Sequence, residues 1–159
     1  HRHDVSVFEK AKKLEKLQPT CQLISETIEK MIDNREIVNI YVLLDTMHVL
    51  YRAGCVEIFD RLYKKLLPVA RASLDSLAHL ADILIECGCI DLAFLILMEL
   101  LKKRYNMSAV LVNLAITSYM LGKPREAKKF AQIYEKITGR SLSLMRSLRI
   151  ILGESSKVS

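Results

Sequence analysis

The stretch that decides the fold is residues 114–139, LAITSYMLGKPREAKKFAQIYEKITG. One apolar helical pattern runs into Gly122, and a second runs on from Pro124. The same glycine stands 34 residues earlier, as Gly88 in ADILIECGCIDLAFLI (residues 81–96), and 34 before that, as Gly54 in MHVLYRAGCVEIFDRL (residues 47–62). The surrounding positions keep register. Five residues beyond each glycine come Phe59, Ala93 and Ala127; nine beyond come Tyr63, Leu97 and Ala131; eleven before come Leu43, Leu77 and Leu111. A glycine closing a helix supplies a positive φ without steric cost. A small residue at the fifth position lets the returning helix approach closely. Each unit therefore reads as a helix, a tight turn, and a second helix packed back antiparallel on the first.

The pattern Leu77-x2-Leu80-Ala81-x2-Leu84, Gly88, Ala93-x3-Leu97 resembles the tetratricopeptide (TPR) repeat. Leu111-x2-Leu114-Ala115, Gly122, Ala127-x3-Ala131 is similar, and GCIDLAFLILMEL fits the kindred pentatricopeptide (PPR) pattern about as well. The resemblance covers residues 41–142. The chain departs from the family in having no Trp, in placing Arg71, Tyr105 and Gly139 where a repeat-closing Pro is usual, and in a degenerate first unit with Thr46, Met47 and Phe59. It implies an all-α fold: a right-handed α-solenoid of antiparallel helix pairs with a 34-residue period, in repeats 41–74, 75–108 and 109–142.

The same register predicts a degenerate hairpin over 5–33, with helices 5–17 and 20–33 separated at Pro19, which breaks helices. RSLSLMRSLRIIL predicts a capping helix at 140–152, as repeat arrays need at their ends. The expected sum is eight helices and a cap in a single domain, residues 1–153, with a flexible tail at 154–159.

Composition agrees with an all-helical chain. Of 159 residues 51% are hydrophobic, while only 5 Gly and 3 Pro interrupt them, too few turns for a β-protein. No long charge-free apolar run predicts a membrane span, and the N-terminus lacks the apolar core of a signal peptide. Because the sequence opens at His1 without Met, it is expected to be one module of a longer protein. Cys21, Cys55, Cys87 and Cys89 are expected as reduced thiols in an intracellular chain, cytoplasmic or nuclear. Paired CxxC spacing is absent, so these cysteines read as small buried hydrophobes and no metal is expected.

Charge is unevenly placed. Residues 123–159 hold nine Lys and Arg against three Asp and Glu, which accounts for the whole net charge of +6. With Lys102, Lys103 and Arg104 beside them, Lys123, Arg125, Lys128, Lys129, Arg140, Arg146 and Arg149 form a candidate polyanion-binding set. A solvated helix face explains the same pattern equally well.

Helix 123–138 carries one apolar stripe of Ala127, Phe130, Ala131, Tyr134 and Ile137. Helix 106–121 has no charged residue and is expected between neighbours. Helix 89–104 is apolar nearly all round. With Ala93, Leu97, Leu100 and Leu101 facing inward, Leu92, Leu95 and Ile96 point outward as a candidate apolar interface for a partner or a second copy, unless neighbouring helices cover them.

In TPR-like arrays the first helix of each pair lines a concave groove. By register the resemblance assigns to it Tyr41, Leu44, Asp45, His48 and Arg52, then Asp75, His79, Asp82 and Glu86, then Asn113, Ile116 and Tyr119. This groove suits a peptide or helix of a partner protein. The base-reading slot of PPR proteins falls on Leu44, Ala78 and Val112, which cannot hydrogen-bond a base edge, so RNA binding is expected only through the backbone. With no Gly-rich phosphate loop, HExxH or GxSxG, the chain is read as a non-enzymatic interaction scaffold that needs no cofactor.

Overall fold

The computed structural model describes residues 2–36 and 39–140. Among them are seven helices and no strand: α1 (Arg2–Asp33), α2 (Ile40–Arg52), α3 (Phe59–Ala70), α4 (Leu74–Glu86), α5 (Ile90–Lys102), α6 (Met107–Met120) and α7 (Pro124–Thr138). The chain is all-α. The predicted capping helix at 140–152 and the tail lie outside the described residues. Two compact units are present, one up to Ile83 and one from Leu84.

The three turns read from the glycines share one backbone geometry. Gly54, Gly88 and Gly122 have φ of 101°, 77° and 75°. The N–H after each glycine closes the turn: Cys55 donates to Leu50 O, Cys89 to Leu84 O and Lys123 to Ser118 O, over 3.0, 2.9 and 2.9 Å. This is the Schellman closure, which satisfies helix-end carbonyls. Arg35 and Arg104, both at φ 55°, end α1 and α5 in the same way, with Glu36 N–H on Met31 O and Tyr105 N–H on Leu100 O.

In the first unit α3 packs against both α1 and α2. Leu44, Met47, Leu62, Leu66, Leu77 and Leu80 are its largest fully buried side chains, each contributing about 1.5–3 kcal/mol by leaving water. Asn39 caps α2 by accepting the Tyr41 N–H, and the buried Ser76 hydroxyl donates to Ala70 O at the α3–α4 turn.

Where a hairpin was expected over 5–33, α1 is a single helix that passes through Pro19. A proline inside a helix removes the bond to the carbonyl four residues back, at a cost of about 3 kcal/mol. Glu15 and Pro19 are both exposed, so the break lies on the solvent side of the helix. Contacts beyond the break offset the cost. Cys21, Ser25 and Ile28 are buried on one stripe, and Glu29 and Asp33 pair with Arg61 and Lys65 of α3.

Cys21 and Cys55 form a disulfide, with Cα atoms 6.4 Å apart, that ties α1 to the turn after α2. This corrects the expectation of four reduced thiols and removes the thiol argument for an intracellular chain. Cys87 and Cys89 are free thiols.

In the second unit α6 packs against α5 and α7. Ala93, Ala115 and Ala127 are wholly buried, where the small side chain admits the neighbouring helix. Ile137, expected in the α7 stripe, is exposed. At 100° per residue it sits about 80° from Ala127, on the edge of the stripe.

Candidate functional site

The residues assigned to a groove can be followed from their helices. On α2, the buried stripe of Leu43, Leu44, Met47 and Leu50 turns Tyr41, Asp45 and Arg52 to solvent and leaves His48 half-buried. Leu44, assigned to the groove by register, is instead fully buried, because it lies within that stripe. On α4, the buried Leu77, Leu80, Ala81 and Leu84 leave Asp75 and Asp82 exposed and His79 half-buried. Glu86, exposed, and Asn113, Ile116 and Tyr119, half-buried, belong to the second unit.

Three of the expected residues meet in the first unit. The His79 Nε2–H donates to Asp45 Oδ1 across 2.6 Å. The Tyr41 ring meets the His79 ring edge-on, with centroids 5.4 Å apart and planes at 72°. The Asp45 side chain is 60% exposed and that of His79 35%. The cluster therefore presents an aromatic ring, an imidazole and a carboxylate at the surface. Arg52 stands elsewhere, lining a hollow with Lys10 and Lys13 of α1.

The candidate apolar interface on α5 is smaller than expected. Leu95 is 65% exposed and Leu92 half-buried, but Ile96 is buried at 3%. The inward stripe is Ile90, Ala93, Ile96, Leu97 and Leu100. Relative to Ala93, Ile96 lies only about 60° round the helix and Leu101 about 80°, so the stripe is centred one row away from the sequence reading.

The candidate polyanion set divides. Lys102, Lys103, Arg104, Lys123, Arg125, Lys128, Lys129 and Arg140 are exposed in the second unit. Arg146 and Arg149 lie outside the described residues. Lys123 Nζ sits 5.4 Å from the centre of the Phe94 ring, a cation–π contact joining the start of α7 to α5.

Cys89 precedes α5. Burial, and then the Asp91 carboxylate, push its thiol above the usual range. Among the described residues no group of three or more His, Cys, Asp or Glu could hold a metal ion, and no helix is long and apolar enough to cross a membrane.

Sequence reading missed the disulfide and the two α1–α3 ion pairs. Spacing gave no signal for the disulfide: Cys21 and Cys55, like Cys55 and Cys89, are 34 residues apart, and only the first pair is bonded. No protein-family model, curated protein or solved structure matches the chain.

Proposed function

We propose that this chain is a non-catalytic protein-interaction scaffold built of TPR-like helical hairpins, a module of a larger protein that binds a peptide or helix of a partner. In this reading the hairpins repeat every 34 residues and stack right-handedly, with 140–152 as the cap. The observation that carries it is the meeting of Tyr41, Asp45 and His79. Register alone assigned all three to one binding face, and they share an exposed cluster on successive first helices. The positive φ and the closing hydrogen bond common to the three glycine turns support the repeat.

The test is affinity capture with the intact chain, repeated with Tyr41→Ala and with Asp45→Lys. A protein retained by the wild type and lost by both variants supports the reading. Equal retention by all three rejects it.

A second reading is RNA-backbone binding. It is favoured by the exposure of Lys102, Lys103, Arg104, Lys123, Arg125, Lys128, Lys129 and Arg140 in the second unit. Such binding falls steeply as salt rises. A titration of generic single-stranded RNA at two salt concentrations, with nuclease-treated capture beside it, separates the two; absence of binding at low salt removes this one.

A further inference from the structure

Three cations line one hollow in the first unit. Lys10 and Lys13 come from α1 and Arg52 from the last turn of α2, and Leu17, Ala53 and Gly54 also line this open hollow of about 460 Å³. No carboxylate is among these six residues, and among the described residues no ion pair involves Lys10, Lys13 or Arg52. The α3 surface of the same unit behaves differently: Arg61 pairs with Glu29, Lys64 with Asp60 and Lys65 with Asp33. Charges of one sign gathered without a counter-charge repel, and a multivalent anion seated among them turns that repulsion into attraction.

The C-terminal end of a helix opposes an anion. Here three of the last four carbonyls of α2 are occupied: Val49, Tyr51 and Leu50 accept from the N–H groups of Ala53, Gly54 and Cys55. The hollow is fastened at one margin. Leu17 lies one turn before Cys21, and Cys55 directly follows Gly54, so the disulfide holds α1 beside the end of α2 at the margin of the hollow.

The geometry points to an oxyanion site whose ligand is a small organic phosphate. Arg52 offers a planar fork for two phosphate oxygens, while Lys10 and Lys13 act as point charges. Leu17 and Ala53 give the organic part an apolar seat. The volume lies within the roughly 300–1,000 Å³ of small-molecule sites. This site is separate from the Tyr41–Asp45–His79 cluster and does not depend on it.

The experiment is an NMR and calorimetric titration of the oxidised protein with phenyl phosphate and, in parallel, inorganic phosphate at low salt. Phenyl phosphate is expected to bind saturably, to shift the amides of residues 52–55, and to bind more tightly than inorganic phosphate. The double variant Lys13→Gln/Arg52→Gln should lose about tenfold or more in affinity, because both removed bonds are charge-assisted. Both positions are exposed, and far-UV circular dichroism checks the fold. Lys128→Gln/Lys129→Gln, in the second unit, should bind like the wild type. Failure of the wild type to bind, undiminished binding by the first double variant, amide shifts confined to the second unit, or loss of binding by the second double variant overturns the site. Equal affinity for the two phosphates overturns the organic ligand.

Discussion

Asp45 of α2 and His79 of α4 are 34 residues apart in the chain and hydrogen-bonded across 2.6 Å. The contact lies on the surface, where water and salt compete with it. A double-mutant cycle with Asp45→Ala and His79→Ala should give a coupling below about 1 kcal/mol. If the pair serves recognition, as proposed, the two variants should keep nearly the wild-type midpoint in urea while losing the captured partner. A coupling well above that value would assign the pair to the core.

The Cys21–Cys55 bond closes a loop of ordinary length around α2. Constraint of the unfolded chain by such a loop is worth about 2–4 kcal/mol. Reduction should lower the urea midpoint accordingly, and non-reducing mass analysis after alkylation should show two blocked thiols, not four. Four alkylated cysteines in the native, unreduced protein would disprove the pairing.

A Cβ built on Gly88 meets no atom within 4 Å, so only its φ of +77° resists substitution. Gly88→Ala should cost about 1 kcal/mol, and Gly88→Asn less, because Asn tolerates the left-handed region. Arg104 reverses the case: at φ 55° it occupies a glycine's place. Arg104→Gly should stabilise by up to about 1 kcal/mol. Thermal unfolding of the three variants checks both signs.

Burial first, and Asp91 second, keep the Cys89 thiol protonated further up the pH scale than a free cysteine. Only the thiolate reacts with iodoacetamide. Alkylation of Cys89 at pH 8 should therefore be slower than that of a free thiol. Asp91→Asn removes one cause of the raised pKa, so the thiolate fraction rises at fixed pH and the rate should increase. An unchanged rate would mean that Asp91 does not act on the thiol.

The turns were legible because Gly54, Gly88 and Gly122 advertise a conformation that other residues avoid. Arg35 and Arg104 adopt it without advertising it, since there the closing hydrogen bonds outweigh the strain. Pro19 misled for a related reason: a local penalty was read without the contacts that offset it, namely Cys21, Ser25, Ile28 and two ion pairs. Ile96 was misplaced because a helix apolar nearly all round gives no contrast from which to centre its stripe. Register placed Tyr41, Asp45 and His79 among many residues of one face without foretelling their contact, whereas the hollow at Lys10, Lys13 and Arg52 joins residues that no periodicity links.

The proline inside α1 divides that helix into two kinetic populations. Before it, residues 9–13 and 15–17 are all exposed, and the ladder of backbone bonds lacks a rung; after it, a disulfide and two ion pairs clamp the same helix. Deuterium uptake should step down on passing residue 19, where the disulfide and the ion pairs begin to hold the helix.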